Sequence, residues 1–192
     1  MTPQNIITDA RFILNDTDAT AYRNSDAELL GWVNDLIDVM VGVKPEFFSE
    51  IADHTCSTGA EQTLAVTRAV RILDVRRVVG GNAILPADKA VLDAFSPGWY
   101  LATAGAAVNW MPGISPLKFY LDPPAANTQH VEVQFVRAPV ALAIGDTLPI
   151  PDNYQMAFVN GVVGYAEAKD DEHVDSNRSA QAKADFVALI GA

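Results

Sequence analysis

The sequence predicts an α+β fold, in which a helical bundle carries a small inserted antiparallel β-unit. Three observations support this. Apolar residues recur at helical spacing near the N-terminus, alternate at strand spacing in the middle of the chain, and return to helical spacing after Pro151. We therefore expect residues 1–47 and 150–192 to form the helical core, as an N-terminal hairpin plus two C-terminal helices. Residues 48–149 are expected to form a β-rich insertion with a short helix.

Two helices with clear boundaries are predicted at the N-terminus. The first covers residues 3–15 and begins at Pro3, which suits a first helical turn. The second begins at Ser25, where Glu28 three positions later completes a capping box, and it ends at Gly42. The apolar positions are Ile6, Ala10, Ile13 and Leu14 in the first helix, and Leu29, Leu30, Val33, Leu36, Ile37 and Met40 in the second. Each set predicts one buried helix face.

The middle of the chain is predicted to hold several short strands. The segments that alternate or are rich in β-branched residues are 61–67, 70–79, 117–121 and 130–136. A short helix is predicted to begin near Pro86 and to end before Pro97. The Gly- and Ala-rich residues 99–116 predict a loop, and Pro123 with Pro124 predicts a turn.

Two further helices are predicted at the C-terminal end. The fourth helix follows Pro151 and contains Gly161 and Gly164, each of which costs about 1 kcal/mol relative to Ala. Two such glycines predict close packing against another backbone, here that of the second helix. The last helix is predicted over residues 175–190. Its inward positions are expected to be Ala180, Ala184, Val187 and Ile190.

The composition predicts a globular chain with few charges for its length. Of its 192 residues, 49% are apolar and 19% are charged, which leaves room for large subunit interfaces. The net charge is −11, from 13 Lys and Arg against 24 Asp and Glu. This balance argues against general nucleic-acid binding and against docking on anionic membranes, because both need basic residues.

The single cysteine, Cys56, excludes an intrachain disulfide, so the fold does not depend on an oxidising compartment. Residues 1–5 lack the charged region and apolar run of a signal peptide. No stretch approaches the roughly 18 consecutive apolar residues of a membrane span. We therefore expect a chain made in the cytoplasm that works there or in a particle assembled there.

Motifs of catalysis are weak in this sequence. It has no phosphate-binding loop and no Gly-x-Ser-x-Gly elbow. Cys56 has His54 and His130 as candidate bases, but nothing beside it indicates an activated thiol. His54 and Cys56 also supply ligand types for zinc, although a structural site needs about four ligands. Residues 170–173 offer carboxylates for a cation without the spacing of a calcium loop. We expect no catalytic residue, metal or cofactor; a small intracellular metal-binding or hydrolytic domain is an alternative.

Two groups of residues are candidates for protein contacts. The only basic cluster consists of Arg68, Arg71, Arg76 and Arg77, on the predicted central strands. These arginines would pair either with acidic surfaces of a neighbouring subunit or within the chain. Trp99 and Trp110 flank the Gly/Ala-rich loop, where aromatic side chains would serve a protein interface or be buried under the β-unit. The sequence leaves both alternatives open in each case.

Several segments matter for their order along the chain. The N-terminal ones are Arg23-x-Ser25-x-x-Glu28-Leu29-Leu30-x-Trp32-x-Asn34-Asp35 and Pro45. The central ones are the strand pair up to Val79, Pro97-x-Trp99, Phe119-Tyr120-x-Asp122-Pro123-Pro124 and residues 131–139. The C-terminal ones are residues 165–171, Asn177-Arg178-x-Ala180 and Phe186. In this order and spacing they resemble the head-to-tail adaptor (connector) proteins of tailed bacteriophages.

The resemblance implies a structural protein of the virion neck and no enzyme. Such adaptors are helical bundles with a β-rich insertion that form a ring, a dodecamer, between the portal vertex and the tail or its nozzle. The implied partners are further copies of the chain, the portal protein and a tail or nozzle protein, with genomic DNA passing through the lumen without specific binding and no membrane. A tail-completion or stopper protein of the neck is the alternative within the virion.

The resemblance also directs attention to possible contact residues. Candidates for the subunit or portal interface are Arg68, Arg71, Arg76, Arg77, Trp99, Trp110, Glu167, Asp170, Asp171 and Ile190. The acids between residues 167 and 175 are expected to face the channel or the portal. The chain departs from the family pattern at Asn24, where an aromatic residue usually follows the arginine. It also ends soon after the last helix, so Ile190 is expected to dock directly, without the long C-terminal extension of some adaptors.

Overall fold

The computed structural model describes residues 1–169 and 174–191. The chain divides into two compact units, which we call the helical unit and the β-unit. Met1–Phe47 and Pro139–Ala192 form the helical unit, and Phe48–Ala138 forms the β-unit. The chain therefore leaves the helical unit once and returns to it once.

Five α-helices lie in the described part of the chain. They are α1 (Pro3–Leu14), α2 (Asp26–Val43), α3 (Lys89–Phe95), α4 (Gln155–Ala166) and α5 (Ser176–Gly191). All but α3 belong to the helical unit. Short 3-10 turns cover Pro45–Phe48, Trp99–Leu101 and Asp152–Tyr154. None of the described helices is long and apolar enough to cross a membrane.

Local capping explains where the first two helices begin. The Thr2 side chain accepts the backbone N–H of Asn5 and the Asn5 side chain accepts that of Thr2, which forms a capping box before α1. The predicted box at the start of α2 is confirmed, since Ser25 and Glu28 exchange the same pair of bonds. Both boxes satisfy backbone donors that a helix start leaves unpaired.

The core of the helical unit gathers around α4, which is buried on most of its surface. Phe158 and Val162 of α4 are fully buried with Leu29 and Val33 of α2. Gly161 allows α2 to approach closely, because a Cβ at this position would lie 2.6 Å from a Leu36 methyl group. The prediction that Gly161 packs against the second helix is therefore confirmed.

Two predictions for the C-terminal helices are wrong. Gly164 faces α5 and not α2, since a Cβ there would meet Lys183 and the Ser179 backbone. The buried face of α5 consists of Ser179, Ala182, Phe186 and Ile190, whereas the expected Ala180, Ala184 and Val187 are exposed. The Ser179 hydroxyl donates to the Gly164 carbonyl oxygen at 2.8 Å, so a polar residue can occupy an inward position.

The β-unit contains seven strands in two sheets. They are β1 (Ser49–Thr55), β2 (Gly59–Thr63), β3 (Ala69–Val78), β4 (Leu85–Pro86), β5 (Asn109–Pro112), β6 (Lys118–Ala125) and β7 (His130–Arg137). The three-stranded sheet has the order β1-β7-β3, and the four-stranded sheet has the order β2-β6-β5-β4. All pairs are antiparallel except β4 with β5, which is parallel.

One apolar cluster holds the two sheets together. Val75 and Val133 come from the three-stranded sheet, Trp110 and Phe119 come from the four-stranded sheet, and all are buried in the same cluster. Side chains of alternate strand positions thus interdigitate between the sheets. A smaller cluster of Ala60, Trp99 and Met111 lies apart from it, with Leu92 of α3 packed against it.

The predicted helical bundle with a small antiparallel β-unit is wrong. The β-unit has seven strands in two sheets and one parallel pair, so the fold is a mixed one with a large β component. Strand β1 was not predicted because its inward-facing positions are Ala52 and His54, which give little apolar alternation. Strand β5 was not predicted because it lies inside the Gly- and Ala-rich segment that suggested a loop.

Strand β6 also continues where a turn was predicted. Pro123 and Pro124 lie within it, and the Asp122–Pro123 peptide bond is cis. Pairing with β2 shifts register between Gly59 and Glu61, opposite this part of β6. A proline, which has no N–H, is tolerated at such an irregularity.

Candidate functional site

Glu167 joins the segments on which the resemblance rests. Its carboxylate lies 2.8 Å from the Arg178 guanidinium of α5 and 3.9 Å from that of Arg23 before α2. The same arginines bind backbone carbonyls: Arg178 donates to Ile13 at 2.6 Å and Arg23 donates to Ala166 at 3.1 Å. Glu167 is only 3% exposed, so this charge is compensated by partners inside the helical unit.

A second ion-pair cluster lies at the α1–α2 connection. The buried Arg11 guanidinium binds Asp16 and Asp26, each at 2.7 Å, and also donates to the Asn24 carbonyl oxygen at 2.8 Å. Asp16 in turn accepts the backbone N–H groups of Arg23 at 2.8 Å and Asn24 at 3.3 Å. Every charge in this cluster therefore has a partner, and the cluster fixes the path of the connection.

Two further contacts, nearer the surface, join α2 to the C-terminal segments. Glu28 binds Lys169 at 2.9 Å, and this hydrogen bond, with those from Ser25, lowers the pKa of Glu28 to about 2. The Trp32 ring stacks on Tyr165 with 6.2 Å between centroids. These contacts involve residues of the N-terminal and C-terminal segments of the resemblance, whose side chains thus act largely within one subunit.

A cleft of about 440 Å³ opens beside the Glu167 cluster. Asp16, Arg23, Asp175 and Arg178 line it together with Glu167. These charged groups already bind one another or nearby backbone, as Asp175 does by accepting the N–H of Arg178 at 3.0 Å. The geometry is that of an internal brace, and it does not present a set of groups converging on a substrate.

The whole chain matches one family of proteins. A family model described as SU10 adaptor protein covers residues 1–192. The chain belongs to this family. SU10 is a phage, and the family is one of structural adaptor proteins, which agrees with the predicted resemblance to phage head-to-tail adaptors. No curated protein matches the chain at a significant level.

The four arginines of the basic cluster are all exposed. Arg77 binds Glu132 at 2.8 Å, Arg76 reaches the same carboxylate at 3.9 Å, and Arg68 donates to the Ala138 carbonyl oxygen at 3.0 Å. Arg71 forms no ion pair with the described residues. Register shifts along β3, one of them between Val75 and Arg77, turn consecutive arginines to the same outer face.

Both tryptophans of the predicted interface are buried in the β-unit. Trp99 donates its indole N–H to Asp93 at 2.9 Å and stands edge-on to Tyr120. Trp110 lies in the cluster between the sheets. Neither ring is therefore exposed on the surface of the β-unit.

The C-terminal candidates divide into two groups. Ile190 is 2% exposed on the inner face of α5, and Glu167 is buried as described. Asp170 and Asp171 lie outside the described residues, as does the rest of the 170–173 segment.

Sequence reasoning missed two exposed apolar surfaces of the β-unit. The first, which we call the apolar ledge, consists of Val91, Phe95, Tyr100 and Leu101 on α3 and the turn after it. Phe95 is 86% exposed and Leu101 77% exposed. The second is Ile114, which is 95% exposed at the tip of the β5–β6 hairpin. A signal was present in α3, whose apolar residues cannot all face inward in a helix of seven residues.

The side chains of His54, His130 and Cys56 do not form a catalytic arrangement. Burial raises the pKa of the Cys56 thiol to about 11, so the thiol stays protonated and poorly nucleophilic at neutral pH. His54 packs edge-on against Phe119, and burial lowers its pKa. His130 is exposed and pairs with Thr55 across the strands, on the face opposite His54. Within the described residues, no cluster of three or more His, Cys, Asp or Glu could hold a metal ion.

The two units differ sharply in charge. The β-unit has seven Lys and Arg against eight Asp and Glu, a net charge of −1. The helical unit has six against sixteen and therefore carries −10 of the total −11. Any surface that meets an acidic partner, or an equivalent copy, is electrostatically easier to place on the β-unit.

Proposed function

We propose that this chain is a subunit of a ring-shaped head-to-tail adaptor, a homododecamer in the phage neck that joins the portal vertex to the tail and encloses the DNA channel. The observation that carries the proposal is the family match over all 192 residues. The motif residues bind one another within the chain. This fits the proposed function, because a subunit of a particle needs a rigid body and no reaction centre.

The charge of the helical unit supports a channel through which DNA moves freely. A net charge of −10 on this unit repels phosphate groups and offers no row of cations that could release counterions from DNA. We propose that acids of the helical unit line the lumen or its entrance. Retention of DNA would then depend on other parts of the neck.

Closure of a ring requires two different complementary patches on each subunit. We propose the exposed arginines on and directly before β3 as one patch, the arginine face, formed by Arg68, Arg71, Arg76 and Arg77. Acidic residues of the helical unit in the next copy are its partner. Arg71 is the residue with most to gain, since it has no ion pair among the described residues.

The apolar ledge is proposed as a contact for the portal or for a tail or nozzle protein. Its side chains are exposed and close together in sequence, and burying them against a partner would be favourable. The buried Trp99 supports the ledge from below through its bond to Asp93 and its edge contact with Tyr100. Trp99 therefore has a supporting part in this proposal.

The test combines the purified chain with the portal ring of the same phage. Electron microscopy and mass photometry should reveal an added ring of twelve copies on one face of the portal, even where the chain alone is monomeric. Arg71→Glu should weaken this assembly, while Lys183→Glu, the same two-unit charge reversal at an exposed residue of α5 outside the proposed patches, serves as the matched control. A monomer throughout, with no association, contradicts the proposal; a sixfold particle would favour a stopper or tail-completion protein.

A further inference from the structure

The two ends of the β-unit carry a knob and a groove of matching character. The knob is Ile114, whose hairpin is closed by bonds from the Gly113 N–H to the Lys118 carbonyl oxygen and from the Lys118 N–H to the Ser115 carbonyl oxygen, both 2.9 Å. The groove is a cavity of about 380 Å³ between residues 78–83 and residues 106–108. Neither feature contributes to the apolar core of the β-unit: Ile114 is exposed, and the groove is a cavity.

The hairpin presents its side chain in a fixed position. A Cβ at Gly113 would lie 2.7 Å from the backbone of Lys118, so the two arms of the hairpin touch. With 95% of its surface exposed, Ile114 leaves a large apolar area in water. An isoleucine side chain gains free energy when it leaves water, so burial of Ile114 against an apolar surface would be favourable.

The groove has the chemistry to receive such a side chain. All of the residues that line it are uncharged and most are small, including Gly81, Ala83, Ala106 and Ala107. The hairpin residues 113–117 carry no charge either. Burying one against the other therefore desolvates no ion.

Knob and groove point away from each other within one chain. Residues 106–108 precede β5 and the Ile114 hairpin follows it, so the strand separates them by roughly 13 Å. The same holds along β3, where Ile72 bonds the hairpin residue Pro116 and Val78 borders the groove. One copy cannot fill its own groove, and a contact between the two features runs head to tail.

We infer that Ile114 of one copy inserts into the groove formed by residues 78–83 and 106–108 of the next copy. This inference rests on the proposed ring, because a repeated head-to-tail contact closes on itself only with rotational symmetry. Charge allows a second copy as the occupant: helical units at −10 repel each other strongly, whereas β-units at −1 repel each other only weakly.

A cross-linking experiment tests this contact on the assembled ring. The double variant Ile114→Cys with Ala106→Cys, bound to the portal ring, is treated with a bis-maleimide shorter than the separation of the two sites within one chain. It should yield a ladder of covalent oligomers. The matched control is Ile114→Cys with Val187→Cys, an exposed position of α5, which should yield none. The buried Cys56 contributes little background, since its pKa is about 11.

A second variant separates this inference from the proposed function. Ile114→Asp should leave the monomer folded, because the side chain is almost wholly exposed, yet lower the affinity for the ring at least tenfold. Two results would together overturn the inference while leaving the ring in place: Ile114→Asp forms rings as well as the wild type does, and the double cysteine variant forms rings that do not cross-link. If the wild-type chain forms no ring on the portal, the proposed function itself fails.

Discussion

The helical unit and the β-unit differ in where they place charged and large apolar residues. In the helical unit, charged residues such as Arg11, Asp16 and Glu167 are buried and paired within the chain. In the β-unit, no described charged residue is buried to this degree. Large apolar residues such as Phe95 and Ile114 stand in water there, as Phe12 does in the helical unit. The difference teaches that recognisable motif residues need not form the interface. In this chain they brace the fold, and we propose that less conspicuous exposed residues supply the interface.

The largest effect is expected from removing one partner of a buried ion pair. Arg11→Met should lower the free energy of unfolding by about 3–5 kcal/mol, because Asp16 would stay buried without its cation. Urea denaturation followed by circular dichroism measures this loss. Arg71→Met, which removes an exposed arginine of the β-unit, should change stability by less than about 0.5 kcal/mol. Equal losses in both variants would break the contrast between the units.

A smaller effect is expected where two helices of the helical unit touch. Gly161→Ala places a methyl group 2.6 Å from Leu36 and should cost about 1–3 kcal/mol through overpacking. Gly31→Ala is the matched control, since Gly31 lies in α2 and a methyl group there would have no atom within 4 Å. This control should stabilise the chain by up to about 1 kcal/mol. A stabilising Gly161→Ala would show that α2 and α4 are less tightly packed than described.

Stability should also depend on pH through Glu28. Its folded-state pKa is about 2, below the ordinary value of 4.5, mainly because Lys169 donates a hydrogen bond to it. The stabilising contribution is therefore complete above about pH 4.5 and is lost as the pH falls towards 2. Glu28→Gln should remove this part of the pH dependence in urea titrations, whereas Asp38→Asn should retain it. Parallel curves for wild type and Glu28→Gln over that range would contradict the assignment.

Local signals explain which parts of the fold could be predicted. The capping box of Ser25 and Glu28 lies within four consecutive residues, so the sequence alone was sufficient to predict where α2 begins. The inner face of α5 depends on Phe158 of α4, against which Phe186 packs, and alanines on both faces hide that choice. Strand β1 pairs with β7, some eighty residues away, and shows little alternation of its own.

The contacts of the candidate site likewise depend on segments that are distant in sequence. The resemblance picked out Arg23, Glu167 and Arg178, but their mutual pairing depends on how distant helices pack and cannot be read from spacing. The sequence left open whether Trp99 and Trp110 serve an interface or the core, because aromatic residues beside a Gly/Ala-rich segment fit both. In the structure both side chains are buried, since the neighbouring Met111 and Tyr120 enclose Trp99 and the two sheets enclose Trp110.

The smallest effect on stability, and a large effect on assembly, is expected at the apolar ledge. Phe95→Ser should change the free energy of unfolding by less than about 0.5 kcal/mol, because the ring is 86% exposed. Leu92→Ser in the same helix should cost about 1–2 kcal/mol, since Leu92 packs against the Trp99 cluster.

Binding to the portal ring and to the tail protein, measured by mass photometry, then distinguishes the two kinds of residue in α3. Phe95→Ser should reduce binding to one of these partners while the fold persists. Leu92→Ser should reduce binding only in proportion to its loss of folded protein. If Phe95→Ser binds both partners as the wild type does, the ledge is not their contact, and the contrast between a bracing helical unit and an assembling β-unit would rest on Ile114 and the arginine face alone.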